Sequence, residues 1–347
     1  MKTRITELLG IRYPLVLPGM SWISTPELVA AVSEAGGLGI LASGPLTTDE
    51  TRAAIRRIRE LTDKPFGIGV TLLMPGAKEN AEVALDEQVP VINFSLGKGD
   101  WLVKRAHEYG GKVIATVVSE KHALSAESIG ADALLVTGHE AAAHGGDVTS
   151  LVLIPAIASK VSIPVIATGG FADGRGLLAA LSLGAEGVAM GSRFATSKES
   201  PLHDSTKQAV VAKSEQDTIY SKNFDGLYAR VMKTPRSIKE TRRPMNIFMA
   251  VIEAMKAAKI VKQPIWKIML GMLAMLDKVL LLAYFGASVP RLKAATIDGD
   301  LNKGVQFIGQ TQGLITDIAG VDDIIQRIMQ EAKNIHASQA RLFDSAG

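Results

Sequence analysis

Two glycine turns and one loop histidine are the residues of this chain best suited to chemistry. The turns are Thr168-Gly169-Gly170-Phe171-Ala172-Asp173-Gly174 and Met190-Gly191-Ser192-Arg193. Glycine lets the main chain approach an anion closely, successive amides then point at its oxygens, and a following helix N-terminus adds partial positive charge. Phosphate is the ligand such a pair of turns would hold, and Asp173 would cap the helix behind the first. The plainer reading is tight turning alone. His144 lies in the loop Thr137-Gly138-His139-Glu140-Ala141-Ala142-Ala143-His144-Gly145-Gly146. Imidazole titrates near neutrality and can accept a proton from a weak carbon acid, which makes His144 the candidate base. A solvated loop histidine is its plainer reading, and His139 is a second candidate. His107, His122, His203 and His336 fall on helices or outer segments without metal-ligand spacing, so no metal site is expected.

These residues need a frame that brings them to one face. Eight short apolar runs alternate with amphipathic segments between residues 13 and 194, each strand continuous in its apolar residues as parallel strands buried on both faces are. The predicted strands are Pro14 to Pro18, Leu38 to Ala42, Phe66 to Leu72, Val91 to Phe94, Val113 to Val118, Ala133 to Thr137, Val165 to Thr168 and Gly187 to Met190. Helices are predicted between them, among them Thr25 to Ala35 and Thr47 to Leu61. The α/β fold class expected is a (β/α)8 TIM barrel with an appended helical subdomain, in preference to an open doubly wound sheet. In such a barrel the loops after strands seven and eight form the usual phosphate site. Gly19-Met20 after strand one and Thr71 at the end of strand three reach the same face, where a flat ring would rest.

The rhythm stops after Phe194. Residues 199–300 read as a helical lid or subdomain, and Gly304 to Ser338 as two closing helices, so that 1–198 and 301–347 make the barrel. Arg230, Lys233, Arg236, Lys239, Arg242 and Arg243 form a basic run that suits either nucleotide phosphates or a solvated face. Trp266 to Gly286 is the most apolar segment, but Lys267, Asp277 and Lys278 interrupt it. It reads as a buried helix or one at a homodimer interface, not an integral membrane span.

With 347 residues, 47% of them apolar, the chain can build a large core without covalent staples. The absence of cysteine excludes disulfides and every mechanism with a thiolate nucleophile. The 38 basic and 35 acidic residues nearly balance, which gives no field suited to nucleic acid. The charged start Met1-Lys2-Thr3-Arg4 has no signal-peptide core, so the expected location is cytoplasmic.

Taken together, the chain resembles the nitronate monooxygenase (2-nitropropane dioxygenase) family, whose relatives include flavin NADH:quinone reductases and FMN-containing enoyl-ACP reductases. Pro18-Gly19-Met20, Phe66-Gly67-Ile68-Gly69-Val70-Thr71-Leu72, His144 with its flanking glycines, Gly169 to Gly174, Met190 to Phe194 and Gln312-Gly313-Leu314 carry the likeness across most of the chain. The resemblance implies FMN as cofactor and His144 as base. It also implies that Gly169, Gly170, Gly191 and Ser192 hold the phosphate, with Gly19, Met20, Thr71 and Met190 around the ribityl chain and ring, and Thr116 and Thr137 beneath the ring. Ala142, beside the cofactor, and Ala143 stand where the family often has glycines, Thr137 where it has glutamine or aspartate, and Thr116 where relatives often have lysine. The activity implied is oxidation of alkyl nitronates or nitroalkanes by FMN and O2. The alternative is NAD(P)H-dependent reduction of quinones or enoyl thioesters. A third reading is a phosphate-binding barrel without flavin, such as an isomerase; barrels that resemble IMP dehydrogenase are excluded because they need a cysteine.

Overall fold

Continuous apolar runs become strands here because both faces of each are covered. The computed structural model describes residues 1–242 and 279–344. Its strands are β1 (Leu15–Leu17), β2 (Leu38–Ala42), β3 (Phe66–Thr71), β4 (Val91–Ser95), β5 (Lys112–Val117), β6 (Ala133–Thr137), β7 (Val165–Thr168) and β8 (Gly187–Ala189). All pair in parallel in sequence order, and Val16 beside Ala189 closes the cylinder. The fold is a TIM barrel.

Its helices are α1 (Arg4–Leu9), α2 (Pro26–Glu34), α3 (Thr48–Leu61), α4 (Ala77–Asp86), α5 (Asp100–Glu108), α6 (Glu120–Ser128), α7 (Ser150–Ala158), α8 (Gly174–Ser182) and α9 (Gly191–Ala195). The α3 start follows from its sequence: Thr47 accepts from the Glu50 amide and the Glu50 carboxylate accepts from the Thr47 amide, satisfying two donors a helix start leaves free.

Alternation divides the strands into two packing layers. Val16, Ile40, Val91, Ile114, Leu135 and Ile166 point inward and meet Ile5 and Leu9 of α1, which plugs the end of the barrel where the strands begin. Leu17, Leu41, Ile68, Ile92, Val113, Leu134 and Val188 point outward against the helices. The same parity puts Thr71, Asn93, Thr116, Thr137 and Thr168 inside, at the strand ends away from α1, where they form a polar floor.

Beyond the barrel the expectation of helices throughout 199–300 is corrected. After α10 (Asp204–Val211), β9 (Thr218–Ser221) and β10 (Ala229–Met232) pair as an antiparallel hairpin, followed by α11 (Pro235–Arg242). β-branched and aromatic residues on either side of the Asn223-Phe224-Asp225-Gly226 turn favour that hairpin over helix. Of the apolar segment 266–286, residues 266–278 lie outside the described residues, as does Arg243; the remainder belongs to α12 (Val279–Thr296). No helix among the described residues is long and apolar enough to cross a membrane.

The two closing helices expected over 304–338 are one. Gly309, Gly313 and Gly320 interrupt the first half, which runs as irregular chain with a short 3-10 turn at Gln310–Leu314, and α13 (Val321–Asp344) follows. That irregular stretch is pinned to the barrel: Gly309 N donates to Ser192 Oγ at 3.0 Å and Gln310 N to the Glu140 carbonyl at 3.0 Å.

Candidate active site

The loops after the strands enclose a cavity of about 1200 Å³. Gly19, Met20, Thr71, Thr116, Thr137, Ala142, His144, Gly169, Gly170, Gly191 and Ser192 all line it, so one space gathers eleven of the twelve residues expected at the site. Met190 does not reach the wall; it is buried between barrel and helices. Asn93 and Thr168 belong to the floor and went unnoticed in the sequence, although a polar residue at an inward position of an apolar strand is a readable signal. Asn93 Nδ2 donates to Thr116 Oγ1 at 2.9 Å and to the Ile114 carbonyl at 3.0 Å, while Thr168 Oγ1 donates to the Ala189 carbonyl.

The glycine corners sit side by side, since β7 and β8 are neighbours. Gly169 and Gly170 have φ of 93° and 89°, left-handed values that side chains resist. A Cβ on Gly169 would lie 2.9 Å from the Gly138 carbonyl oxygen, so the corner is also packed against the β6 loop. Gly191 and Ser192 open α9, whose first-turn amides have no partner within their own helix. Ser192 Oγ accepts from Gly309 N, which leaves its own hydrogen for an acceptor in the cavity. The start of α8 is already satisfied: Asp173 accepts from Gly176 N at 2.9 Å and Glu331 from Gly174 N at 2.8 Å. Those two amides at the α8 start are therefore already spent, whereas no such side-chain acceptor caps the start of α9.

His144, on the loop after the neighbouring strand β6, faces the same cavity. Its Nε2 lies 2.7 Å from Oδ2 of Asp225, a fully buried carboxylate whose Oδ1 accepts from Leu227 N. A carboxylate oxygen accepts, so the tautomer with its hydrogen on Nε2 satisfies this contact and has its lone pair on Nδ1. Phe285 stacks on the imidazole at 5.6 Å and Phe307 tilts against it at 5.9 Å. The hairpin also sets the backbone here. Ala143 and Arg230 exchange two main-chain bonds, of 3.1 and 2.9 Å, and hold Ala143 at φ 55°. Trp22 and Leu96, with φ of 59° and 52°, line the cavity too, so three of the four non-glycine left-handed residues among those described surround one space.

His139 and Arg230 are held in framework contacts. His139 Nδ1 sits 3.0 Å from the Gly146 carbonyl and its ring meets Tyr220 edge-on. Arg230 is buried and donates to the His139 carbonyl and to Thr218 Oγ1, while burial lowers its guanidinium from the ordinary value against the pull of Tyr220 and Glu140. Arg236 pairs with Glu240, and Lys233, Lys239 and Arg242 are exposed. Glu140, on the cavity wall, spends its carboxylate on Ser150 N at the start of α7.

A sequence model of the family described as nitronate monooxygenase matches residues 2–331. The chain belongs to this family. It is an oxidoreductase of that family, and its relatives divide by activity. A Rhodococcus jostii protein named (3aS,4S,5R,7aS)-5-hydroxy-7a-methyl-1-oxo-octahydro-1H-indene-4-carboxyl-CoA dehydrogenase is 37% identical over 344 residues, covering 96% of each chain. A probable nitronate monooxygenase of Staphylococcus aureus is 34% identical over 275 residues, 66% of this chain and 78% of its own. Among solved structures, FabK from Thermotoga maritima superimposes with a TM-score of 0.82 at 38% identity, covering 99% of both chains.

Proposed function

We propose that this family member is an FMN-dependent oxidoreductase of an acyl thioester, its electrons passing between substrate and flavin. The observation that carries the reading is the single cavity joining the glycine corners to the His144–Asp225 pair, about 1200 Å³ in volume and roomy for a flavin together with a substantial substrate. The residues fit the cofactor: free first-turn amides and a hydroxyl hydrogen at one end suit a phosphate, and the uncharged Thr71, Asn93, Thr116 and Thr137 floor suits a polar ring edge. Gly169, Gly170, Gly191 and Ser192 would hold the phosphate, with Gly19, Met20, Thr71, Thr116, Thr137 and Ala142 along the remainder. Bound FMN supplies a two-electron donor or acceptor. His144 Nδ1 takes or returns the proton at the carbon beside the thioester carbonyl, and Asp225 keeps that nitrogen aimed into the cavity. Residues 1–198 with 301–344 form the catalytic barrel, and α10, the β9–β10 hairpin, α11 and α12 its cover.

The near full-length likeness to a carboxyl-CoA dehydrogenase supports a thioester over a small nitronate. Anaerobic addition of NADH or NADPH to the yellow protein, followed by crotonyl-CoA, tests it: the flavin should bleach and then recover its colour. Bleaching without recovery by any enoyl thioester would remove this reading.

The second reading is oxidation of alkyl nitronates with O2, supported by the family description and the S. aureus relative. Oxygen uptake with propionate 3-nitronate checks it, and none is expected if the thioester is the substrate.

A further inference from the structure

The cavity does not end above the barrel. It continues outward past Asp100 at the start of α5 and along α6, across the outer faces of β4 and β5, where Phe94, Ala115 and Val117 form an apolar floor. One face of α6 makes a wall through His122, Ser125, Ala126 and Ile129, at spacings of three, one and three. The opening follows from sequence. The only buried side chains of α6 are Ala123 and Ala126, where α7 buries Leu153, Ile154 and Ile157, so α6 lacks the bulk to fill its seat on the sheet. His122 and Ser125 are exposed, which makes this a groove with an apolar bed and a polar open edge.

A cation stands where the groove meets solvent. Lys98 lines the cavity, is exposed, and has no ion-pair partner among the described residues. Its position is fixed by its neighbours: a Cβ on Gly97 would lie 2.5 Å from Leu72 Cβ and one on Gly99 2.6 Å from the Phe94 ring. The loop therefore lies flat on those side chains and holds Lys98 at the rim.

We propose that this groove and Lys98 bind the phosphopantetheine arm of a carrier thioester whose acyl carbons lie at His144, an inference that rests on the thioester reading. The arm's methylenes and paired methyl groups suit the floor, its amides and hydroxyl suit Ser125 and His122, and its phosphate meets Lys98. The groove is the outlet such an arm needs, because the acyl end must lie inside while the carrier stays in solvent. Phosphopantetheine is common to coenzyme A and acyl carrier proteins.

The test is calorimetry on the FMN-loaded protein with butanoyl thioesters of N-acetylcysteamine, pantetheine, 4′-phosphopantetheine and coenzyme A. Pantetheine should bind at least about tenfold tighter than N-acetylcysteamine, since each buried methylene is worth roughly fourfold. The phosphate should add about threefold to fivefold, the scale of an exposed ion pair. Lys98→Gln should erase the phosphate increment alone, and Ser125→Trp the pantetheine increment; both positions are exposed, so the fold tolerates them. Equal affinities across the series, or variants that leave both increments intact, overturn the proposal. Coenzyme A binding no tighter than 4′-phosphopantetheine points to a carrier protein and a further gain to free coenzyme A, and either result keeps the arm in the groove. Anaerobic turnover of crotonyl-N-acetylcysteamine is measured separately: its absence counts against the thioester reading, whereas turnover with flat affinities counts against the groove alone.

Discussion

The two ends of the cavity are built by different means. At the β7–β8 end the useful groups are main-chain amides, placed by two adjacent turns and by glycines whose φ values no other residue adopts cheaply. At the β6 end they are side chains, and their placement depends on a hairpin outside the barrel: Asp225 lies 81 residues from His144 along the chain, and Arg230 clamps Ala143. The first end is local to two neighbouring strand ends. The second depends on an attachment outside the barrel, so substitutions can probe the two ends separately.

The largest effect expected separates these ends. His144→Ala should slow turnover by roughly 10³-fold, within the usual scale for a lost general acid or base, and leave the protein yellow with one flavin per chain. Loss of flavin in that variant would mean the two ends are not independent. Asp225→Asn should follow at roughly 10²-fold, the cost of a reacting group held out of line, because an amide can also donate and no longer fixes the ring's hydrogen on Nε2. Its kcat should fall with the thioester Kd unchanged, and a changed pH profile distinguishes lost positioning from general loosening. A purely structural Asp225 would instead lower Tm and leave that profile alone.

At the main-chain end, Gly169→Ala forces a left-handed φ on a side chain and drives its Cβ toward the Gly138 carbonyl. A loss on the order of 2 kcal/mol in denaturant unfolding is expected, with weakened flavin binding. Stability equal to that of the parent would show that the corner has room to relax. The smallest change is Ala143→Gly: relief of the strain at φ 55° and the entropy of a freer unfolded chain oppose each other, so stability should shift by about 0.5 kcal/mol or less. A large gain would mean Ala143 is held against a much steeper penalty than a left-handed alanine carries.

What the sequence disclosed follows the same division. Leu38–Ala42, Ala133–Thr137 and Val165–Thr168 form as read, because a strand buried on both faces shows itself as an unbroken apolar run. The turns at Gly169 and Gly170 were legible because a left-handed backbone at a strand end demands a residue type. The hairpin was not: β9 and β10 have four residues each, too short for a clear period, and Arg230 of β10 read as the start of a basic run suited to a solvated face. The Asp225-Gly226 turn between β-branched runs was the available signal, but no local rule could tie that aspartate to a histidine on another loop. Gly304 to Gly320 misled for a related reason. It reads as part of a closing helix but runs as irregular chain against the barrel, contributing Gln306, Phe307 and Gly309 to the cavity wall.

The central claim is that main-chain amides at the Gly169-Gly170 and Gly191-Ser192 corners hold the phosphate of a flavin. Titration of flavin-free protein with FMN and with riboflavin, followed by fluorescence quenching, tests it most directly. FMN should bind at one per chain and at least about 10²-fold more tightly than riboflavin, as expected for hydrogen bonds to a charged group. Equal affinity for the two, or binding of neither, would contradict the account.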